Sequence, residues 1–216
     1  MNIQDHALIL FQGDSITDCG RNREIYGSMG DGYAAMTAGA MTALFPERDL
    51  RFLNRGVSGN KVTDLEARWR KDTLELKPDV LTLLIGINDT HVACAEPEHA
   101  QSIEEFGVSL RGILTAARAQ KPDLALVLLE PFLLHSDNEN AQWSADWDNN
   151  LAERTAVYTQ AARAFDAEYI PLQSVFLSKL RERPPEYFSE DSVHPTMAGH
   201  RVIAAELLRC LAAACG

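Results

Sequence analysis

Short apolar runs alternate along this chain with longer segments of helical periodicity, and the alternation narrows the fold class more than any other feature. The runs are nearly continuous in apolar residues, as expected of strands buried on both faces. Between them, Ile103, Phe106 and Leu110 begin an apolar face with helical spacing. The pattern predicts an α/β fold with a parallel sheet covered by helices on both sides. The predicted strands are 7–12, 50–54, 80–85, 124–130 and, more weakly, 168–172.

The length and composition are those of an ordinary folded domain. The chain has 216 residues, of which 46% are hydrophobic and 24% charged. A chain of this size buries roughly 70% of its unfolded surface and needs no disulfide bonds or metals to stabilise its core. It contains no repeat, low-complexity tract or linker, so residues 1–216 are predicted to form one domain.

The charge balance limits the classes of partner. Lys and Arg number 20 against 31 Asp and Glu, which gives a net charge of −11. Because nucleic acids and anionic membranes are bound by basic faces, neither is predicted as a partner. A surplus of negative charge favours a neutral small-molecule substrate instead.

The cysteines and the N-terminus predict a cytoplasmic protein. Cys19, Cys94, Cys210 and Cys215 are scattered without CxxC spacing, which is typical of reduced thiols rather than of a disulfide framework or zinc cluster. The N-terminal segment has no basic region followed by a long apolar run, so no signal peptide is expected. No apolar stretch approaches the roughly 18 residues of a membrane span.

Residues suited to acyl transfer follow several predicted strands. Parallel α/β sheets bind ligands at the carboxyl ends of their strands. Segments 13–18, 54–60 and 86–89 follow the first three strands, and segment 191–195 precedes the last predicted helix. These four segments are expected to be loops that meet at one edge of the sheet.

The residue types in these segments match the parts of a serine hydrolase. Ser15 supplies a hydroxyl nucleophile, His194 a base, and Asp191 a carboxylate that orients the imidazole. The backbone N–H groups of Ser15 and Gly59 and the side-chain amide of Asn88 are candidate donors to an oxyanion. Each residue alone also has an ordinary structural explanation as a helix cap, a turn residue or a left-handed glycine.

Longer stretches around these residues resemble the SGNH (GDSL) hydrolases, and most closely the bacterial serine carbohydrate O-acetyl esterases of the acetylxylan esterase-like branch. The resemblance rests on FQGDSITDCGRNRE, NRGVSGNKVTDLEARW and LIGINDT, together with Asp191 and His194. It implies a flavodoxin-like, three-layer α/β/α fold with a five-stranded parallel sheet, in which the first strand lies between the second and third. It also implies a Ser-His-Asp mechanism with no metal and no cofactor.

Several segments have more than one interpretation. Glu190 stands where some members of that branch carry an aromatic residue. The polar, acidic segment 135–150, with Trp143 and Trp147, is interpreted as a loop and the start of a helix, and alternatively as an active-site rim. Segment 20–32 lacks the spacing of a nucleotide loop and is interpreted as a mobile active-site loop. The cluster 68–70 is interpreted as packing and solvated charge.

The sequence therefore predicts a serine esterase that removes O-acetyl groups from xylo-oligosaccharide-like carbohydrates. A lipid esterase or thioesterase on the same fold is the first alternative. A non-catalytic, flavodoxin-like binding module is the second. A homo-oligomer is also left open, because the alanine-rich segments 33–45 and 204–214 suit a subunit interface or the core equally well.

Overall fold

The computed structural model describes residues 1–136 and 145–215, and its centre is a five-stranded sheet. The strand order is β2-β1-β3-β4-β5, and every neighbouring pair is parallel. This confirms both the predicted fold class and the central place of the first strand. The strands are β1 (Leu8–Gly13), β2 (Arg51–Asn54), β3 (Val80–Leu84), β4 (Ala125–Leu129) and β5 (Glu168–Ile170).

Helices connect the strands and cover both faces of the sheet. Within the described ranges they are α1 (Ser15–Asp18), α2 (Tyr33–Leu44), α3 (Val62–Trp69), α4 (Ile87–Ala95), α5 (Ile103–Gln120), α6 (Ala145–Ala164), α7 (Leu172–Lys179) and α8 (Met197–Ala213). None of them combines the length and apolar character that a membrane span requires.

The alternation of side chains along β1 divides the core into two layers. Ile9 and Phe11 point towards α2, α7 and α8, whereas Leu8 and Leu10 point towards α3 and α5. Both faces of the strand are therefore buried away from water, which explains why its sequence is continuously apolar. Each large apolar side chain fully buried here contributes roughly 1.5–3 kcal/mol.

The helix predicted from residue 103 forms where its periodicity places it. Ser102 caps α5, since its hydroxyl accepts from the backbone N–H of Glu105 at 3.2 Å and the Glu105 carboxylate accepts from the N–H of Ser102 at 2.8 Å. The apolar face that begins with Phe106 and Leu110 is buried against the sheet. Capping and amphipathic spacing thus agree on the start and the orientation of this helix.

One face of each alanine-rich segment lies in the core of the chain. Helices α2 and α8 contact each other on one face of the sheet, and Met41 of α2 and Leu207 of α8 are fully buried. Small side chains allow the two helices to approach closely. Packing within the chain is therefore sufficient to explain both segments.

Candidate active site

Ser15 is the first residue of α1, the single helical turn that follows β1 directly. The preceding residue, Asp14, caps this turn, because its carboxylate Oδ1 accepts from the backbone N–H of Ile16 at 3.0 Å. Since β1 lies between β2 and β3, Ser15 stands at the point of a 2-1-3-4-5 sheet where the connections reverse direction and where ligands bind. The half-buried Ser15 hydroxyl oxygen lies 2.9 Å from Nε2 of His194.

His194 and Asp191 lie in a short bent segment before α8. Nδ1 of His194 is 2.6 Å from Oδ2 of Asp191. An ionised carboxylate can only accept, so the imidazole proton resides on Nδ1 and Nε2 is left to accept the Ser15 hydroxyl proton. Burial acts to raise the pKa of Asp191, but hydrogen bonds from the His194 backbone and imidazole and from the Val193 backbone outweigh it and lower that pKa. Asp191 is therefore ionised at neutral pH and holds the imidazole in one orientation.

This segment is held against the stretch of chain that follows β4. Ser192 accepts from the backbone N–H of Leu134 at 2.9 Å through its carbonyl and from that of Ser136 at 3.0 Å through its hydroxyl. Its φ of +79° is unusual for a residue with a side chain. These contacts position the histidine segment from outside its own sequence.

Three candidate oxyanion donors come from the ends of three adjacent strands. Within residues 1–136 and 145–215, the backbone N–H groups of Ser15 and Gly59 donate to no other atom. Gly59 has a φ of +81° with open space around its α-carbon, so its conformation rather than crowding favours glycine. The Asn88 amide donates one hydrogen to the carbonyl of Asn60 at 3.0 Å and keeps a second hydrogen for another acceptor. Segment 86–89 was expected to be a loop, but Asn88 belongs to the first turn of α4.

The loop after β2 lies directly on α1. A side chain at Gly56 would place its β-carbon 2.6 Å from the backbone nitrogen of Asp18, so only glycine permits this approach. The Asn54 amide donates to the carbonyl of Thr17 at 2.6 Å and the Ser58 hydroxyl to Asp18 at 2.9 Å. The turn that carries Ser15 and the loop that carries Gly59 thus form one hydrogen-bonded unit.

Arg68 holds this unit together through hydrogen bonds. The interpretation of segment 68–70 from the sequence missed this role. Its guanidinium donates to the carbonyls of Gly13 at 3.2 Å and Arg55 at 2.8 Å and to the side-chain oxygen of Asn60 at 2.7 Å. Its side chain is only 17% exposed, so solvated charge was the wrong interpretation for this residue. Asn60 in turn accepts from Asn88, so one arginine orients an oxyanion donor through one intermediate.

Two buried carboxyl groups lie beneath the site. Burial raises the pKa of Asp14 to about 7, and one of its oxygens has no hydrogen-bond partner in the described part of the chain. Burial also raises the pKa of Asp89 to about 6, despite the positive charge of Arg154 and the Val62 N–H that its carboxylate accepts. Both values leave these acids partly protonated near neutral pH.

Arg154 of α6 is fully buried and joins this helix to the first turn of α4. It donates to the carbonyls of Asp89 and Gln101, each at 3.3 Å, and its guanidinium lies 4.8 Å from the centroid of the Phe106 ring. No local sequence pattern marked this arginine, because its partners lie far away along the chain. It supports the residue next to Asn88 from below.

The remaining predicted candidates make no hydrogen bond to Ser15, His194 or Asp191 within the described ranges. Burial and nearby carboxylates raise the pKa of Cys19, which keeps its thiol protonated. Trp147 is buried in α6 with its ring edge-on to His91, at 5.3 Å between centroids, and so belongs to the core rather than to an exposed rim. Trp143 lies outside the described residues.

Segment 20–32 is attached to the site through Asn54, whose amide donates to the carbonyl of Met29 at 2.9 Å. The mobility predicted for this segment stays a prediction.

The structure joins a serine, a histidine and an aspartate by hydrogen bonds at the switch point of a parallel sheet, an arrangement typical of hydrolases that transfer acyl groups. The sequence profile of the GDSL-like Lipase/Acylhydrolase family matches residues 11–202. The chain belongs to this family, and it is a carboxylic ester hydrolase.

Relatives with solved structures share the whole fold. An acetylxylan esterase from Geobacillus stearothermophilus is 32% identical over 216 residues, which cover 97% of this chain and 95% of the relative. The crystal structure of Axe2, an acetylxylan esterase from that organism, superimposes with a TM-score of 0.86 at 31% identity and covers 97% of this chain and 95% of that one. LAE5, an alpha/beta hydrolase from the metagenome of Lake Arreo in Spain, gives a TM-score of 0.88 at 29% identity and covers 99% of both chains.

Proposed function

We propose that this esterase removes O-acetyl groups from xylo-oligosaccharide-like carbohydrates through an acyl-enzyme formed on Ser15. The observation that carries the mechanism is the pair of hydrogen bonds that joins Ser15 to His194 at 2.9 Å and His194 to Asp191 at 2.6 Å. The choice of an acetylated sugar is supported by the similarity to the acetylxylan esterase. In Axe2, replacement of a serine or of an aspartate by alanine gives a catalytic mutant.

Acylation begins when the Ser15 oxygen attacks the ester carbonyl carbon while its proton moves to Nε2 of His194. The carbonyl oxygen becomes an oxyanion, which accepts from the N–H groups of Ser15 and Gly59 and from the Asn88 amide. Asp191 stabilises the imidazolium. The bond to the sugar oxygen then breaks, and that oxygen takes the proton from Nε2 and leaves as a hydroxyl group.

Deacylation repeats the cycle with water. Nε2 of His194 accepts a proton from a water molecule as its oxygen attacks the acetyl carbon on Ser15. The same donors stabilise the second oxyanion. Collapse of this tetrahedral intermediate breaks its bond to the Ser15 oxygen, which takes the proton back from Nε2 of His194, and acetate is released. No step of this cycle uses a metal or a cofactor.

The test of the mechanism is the Ser15→Ala variant. We expect its kcat for acetyl-ester hydrolysis to fall on the order of 10⁴- to 10⁶-fold, since only binding and the oxyanion donors remain. Ser178→Ala, on the exposed side of α7, is the matched control and should keep full activity. A fluorophosphonate probe should label Ser15 and no residue of the Ser15→Ala variant. Near-normal activity in that variant would refute the mechanism.

The test of the substrate is acetate release from acetylated xylo-oligosaccharides, measured beside model esters of increasing acyl length. A sharp preference for two-carbon acyl groups supports the acetyl esterase. A preference for eight carbons or more would instead support the lipid esterase, an activity that the family name GDSL-like Lipase/Acylhydrolase also covers.

A further inference from the structure

A surface pocket next to the candidate active site concentrates positive charge in an otherwise acidic chain. Its volume is about 470 Å³, which lies within the range of small-molecule sites. It opens between segment 20–32, the loop after β2 and the turn that follows α3. The residues that form its basic and aromatic lining are Arg21, Arg23, Tyr26, Arg55 and Lys71.

The positive charges of this pocket exceed the negative charges that face them. Arg21 and Arg23 share a single carboxylate, that of Asp18, at 2.9 Å and 2.5 Å. Arg55 and Lys71 pair with no carboxylate in the described part of the chain, although acids outnumber bases by 31 to 20. The Arg55 guanidinium donates to the carbonyls of Asn54 and Tyr26, at 3.1 Å and 3.2 Å.

The two acidic residues at the edge of the pocket already form ion pairs with arginines. Asp72 accepts from Arg68 at 3.2 Å and Glu75 accepts from Arg70 at 3.2 Å. The pocket therefore keeps a net positive charge within a chain of net charge −11. Such a local reversal of sign is suited to an anionic ligand.

Tyr26 adds an aromatic surface to the charged groups. Its side chain is among the exposed large ones, at 67%, and the Arg55 guanidinium lies 4.6 Å from the centroid of its ring. An aromatic ring beside a few convergent polar groups is the usual lining of a small-molecule site. The combination matches a ligand with both a ring and a negative charge.

The pocket is connected to the catalytic residues through a short piece of backbone. Arg55 and Gly59 are four residues apart, so their α-carbons lie within about 14 Å of each other. Between them, Val57 lines the pocket and donates its N–H to the carbonyl of Gly13 at 3.1 Å, two residues before Ser15. A sugar bound in the pocket therefore lies within a few sugar units of the reacting ester.

We propose that this pocket binds an anionic sugar residue, one that carries a carboxylate or a phosphate group, as a branch or neighbour of the acetylated sugar. The assignment of this sugar to the substrate rests on the proposed function; the affinity of the pocket for an anionic sugar does not. The net charge of the whole chain favours neutral substrates, and this pocket is a local exception to that rule.

The first experiment measures binding to the full chain without catalysis. Methyl glucuronide, glucose 6-phosphate and methyl glucoside are titrated separately into the protein and followed by calorimetry or NMR. We expect one or both anionic sugars to bind at least tenfold more tightly than the neutral one, and the stronger of the two identifies the anionic group. Equal binding of all three sugars would overturn the proposal.

Variants assign the binding to the pocket. Lys71→Gln should weaken the anionic sugar about threefold and Arg55→Gln by a similar factor, with little change for the neutral sugar. Arg181→Gln, which removes an exposed charge elsewhere, should change neither. Because the exposed side chain of Lys71 makes no hydrogen bond or ion pair in the described part of the chain, its replacement tests charge without disturbing the fold. Unchanged binding in both pocket variants would overturn the proposal.

The second experiment compares acetate release from acetylated xylo-oligosaccharides with and without a glucuronic acid branch. The acidic substrate should have a KM lower by about threefold to tenfold, and Lys71→Gln should reduce this difference by about threefold while kcat and the neutral KM stay unchanged. Equal KM values in the unmodified enzyme would overturn the role on the substrate. If neither oligosaccharide is deacetylated, the proposed function fails, and the binding titration alone decides the pocket.

Discussion

Asp14 makes the stability of this enzyme depend on pH in a way that one substitution should remove. Its carboxyl group is fully buried next to Ser15, and burial raises its pKa from 3.8 to about 7. Asparagine has the same shape and keeps an oxygen that can accept from Ile16, so the cap of α1 survives in the D14N variant. The variant resembles the enzyme with Asp14 permanently neutral.

The magnitude follows from the difference between the folded and unfolded pKa values. Because the folded pKa is the higher one, the neutral acid stabilises the fold at low pH, and this contribution disappears as the pH rises through about 7. For a shift from 3.8 to about 7 the loss amounts to about 3 kcal/mol between pH 4.5 and 8.5. D14N should therefore gain about 3 kcal/mol of stability relative to the unmodified enzyme across this interval.

The assay is urea unfolding, followed by circular dichroism at several pH values for both proteins. Asp123→Asn serves as the control, because Asp123 is exposed and its replacement should leave the pH dependence unchanged. A difference between D14N and the unmodified enzyme that stays constant from pH 4.5 to 8.5 would refute the reasoning, since Asp14 would then be ionised throughout.

Three further substitutions test the supports of the site. Asn88→Ala should lower kcat by roughly 10²- to 10³-fold in ester hydrolysis, and a loss of less than about threefold would remove it from the oxyanion donors. Arg68→Met should destabilise the fold by about 2–4 kcal/mol in urea unfolding and lower kcat more than it raises KM, because the loop after β2 loses its anchor; unaltered kcat would contradict this. Arg154→Met should cost about 3–5 kcal/mol, since it removes the stronger of the positive charges that act on the buried Asp89. The double variant with Asp89→Asn should lose less than the sum of the two single losses, and strict additivity would argue against the coupling.

The fold class could be predicted from the periodicity of the sequence, with a small error at element ends, whereas the strand order was implied by the resemblance to the SGNH hydrolases. Periodicity reports whether one face or both faces of an element are buried, and this information is local. The predicted strand 168–172 is shorter in the structure, because β5 stops at Ile170 and Leu172 begins α7. Likewise, Asn88 and Asp89 were expected in a loop and lie in α4. Both differences lie at the boundary between a strand and a helix, where the same residue is compatible with either neighbouring element.

The candidate nucleophile, base and acid could also be named from the sequence, since they lie in short motifs whose chemistry is recognisable residue by residue. Ser15, Asp191 and His194 are such residues, and the structure joins them by hydrogen bonds. Their catalytic roles remain predictions until the variants are assayed.

The supporting network required the tertiary structure. Arg68 bonds to a carbonyl 55 residues away and Arg154 to one 65 residues away. Hydrogen-bond partners so distant leave no periodic trace in the sequence, and a lone arginine in a helix is usually solvated. The raised pKa of Asp14 has the same origin, because it depends on how completely other elements exclude water. Local patterns therefore determined the elements and the reactive residue types, whereas only the packed chain decided which polar groups are buried, paired and held in position.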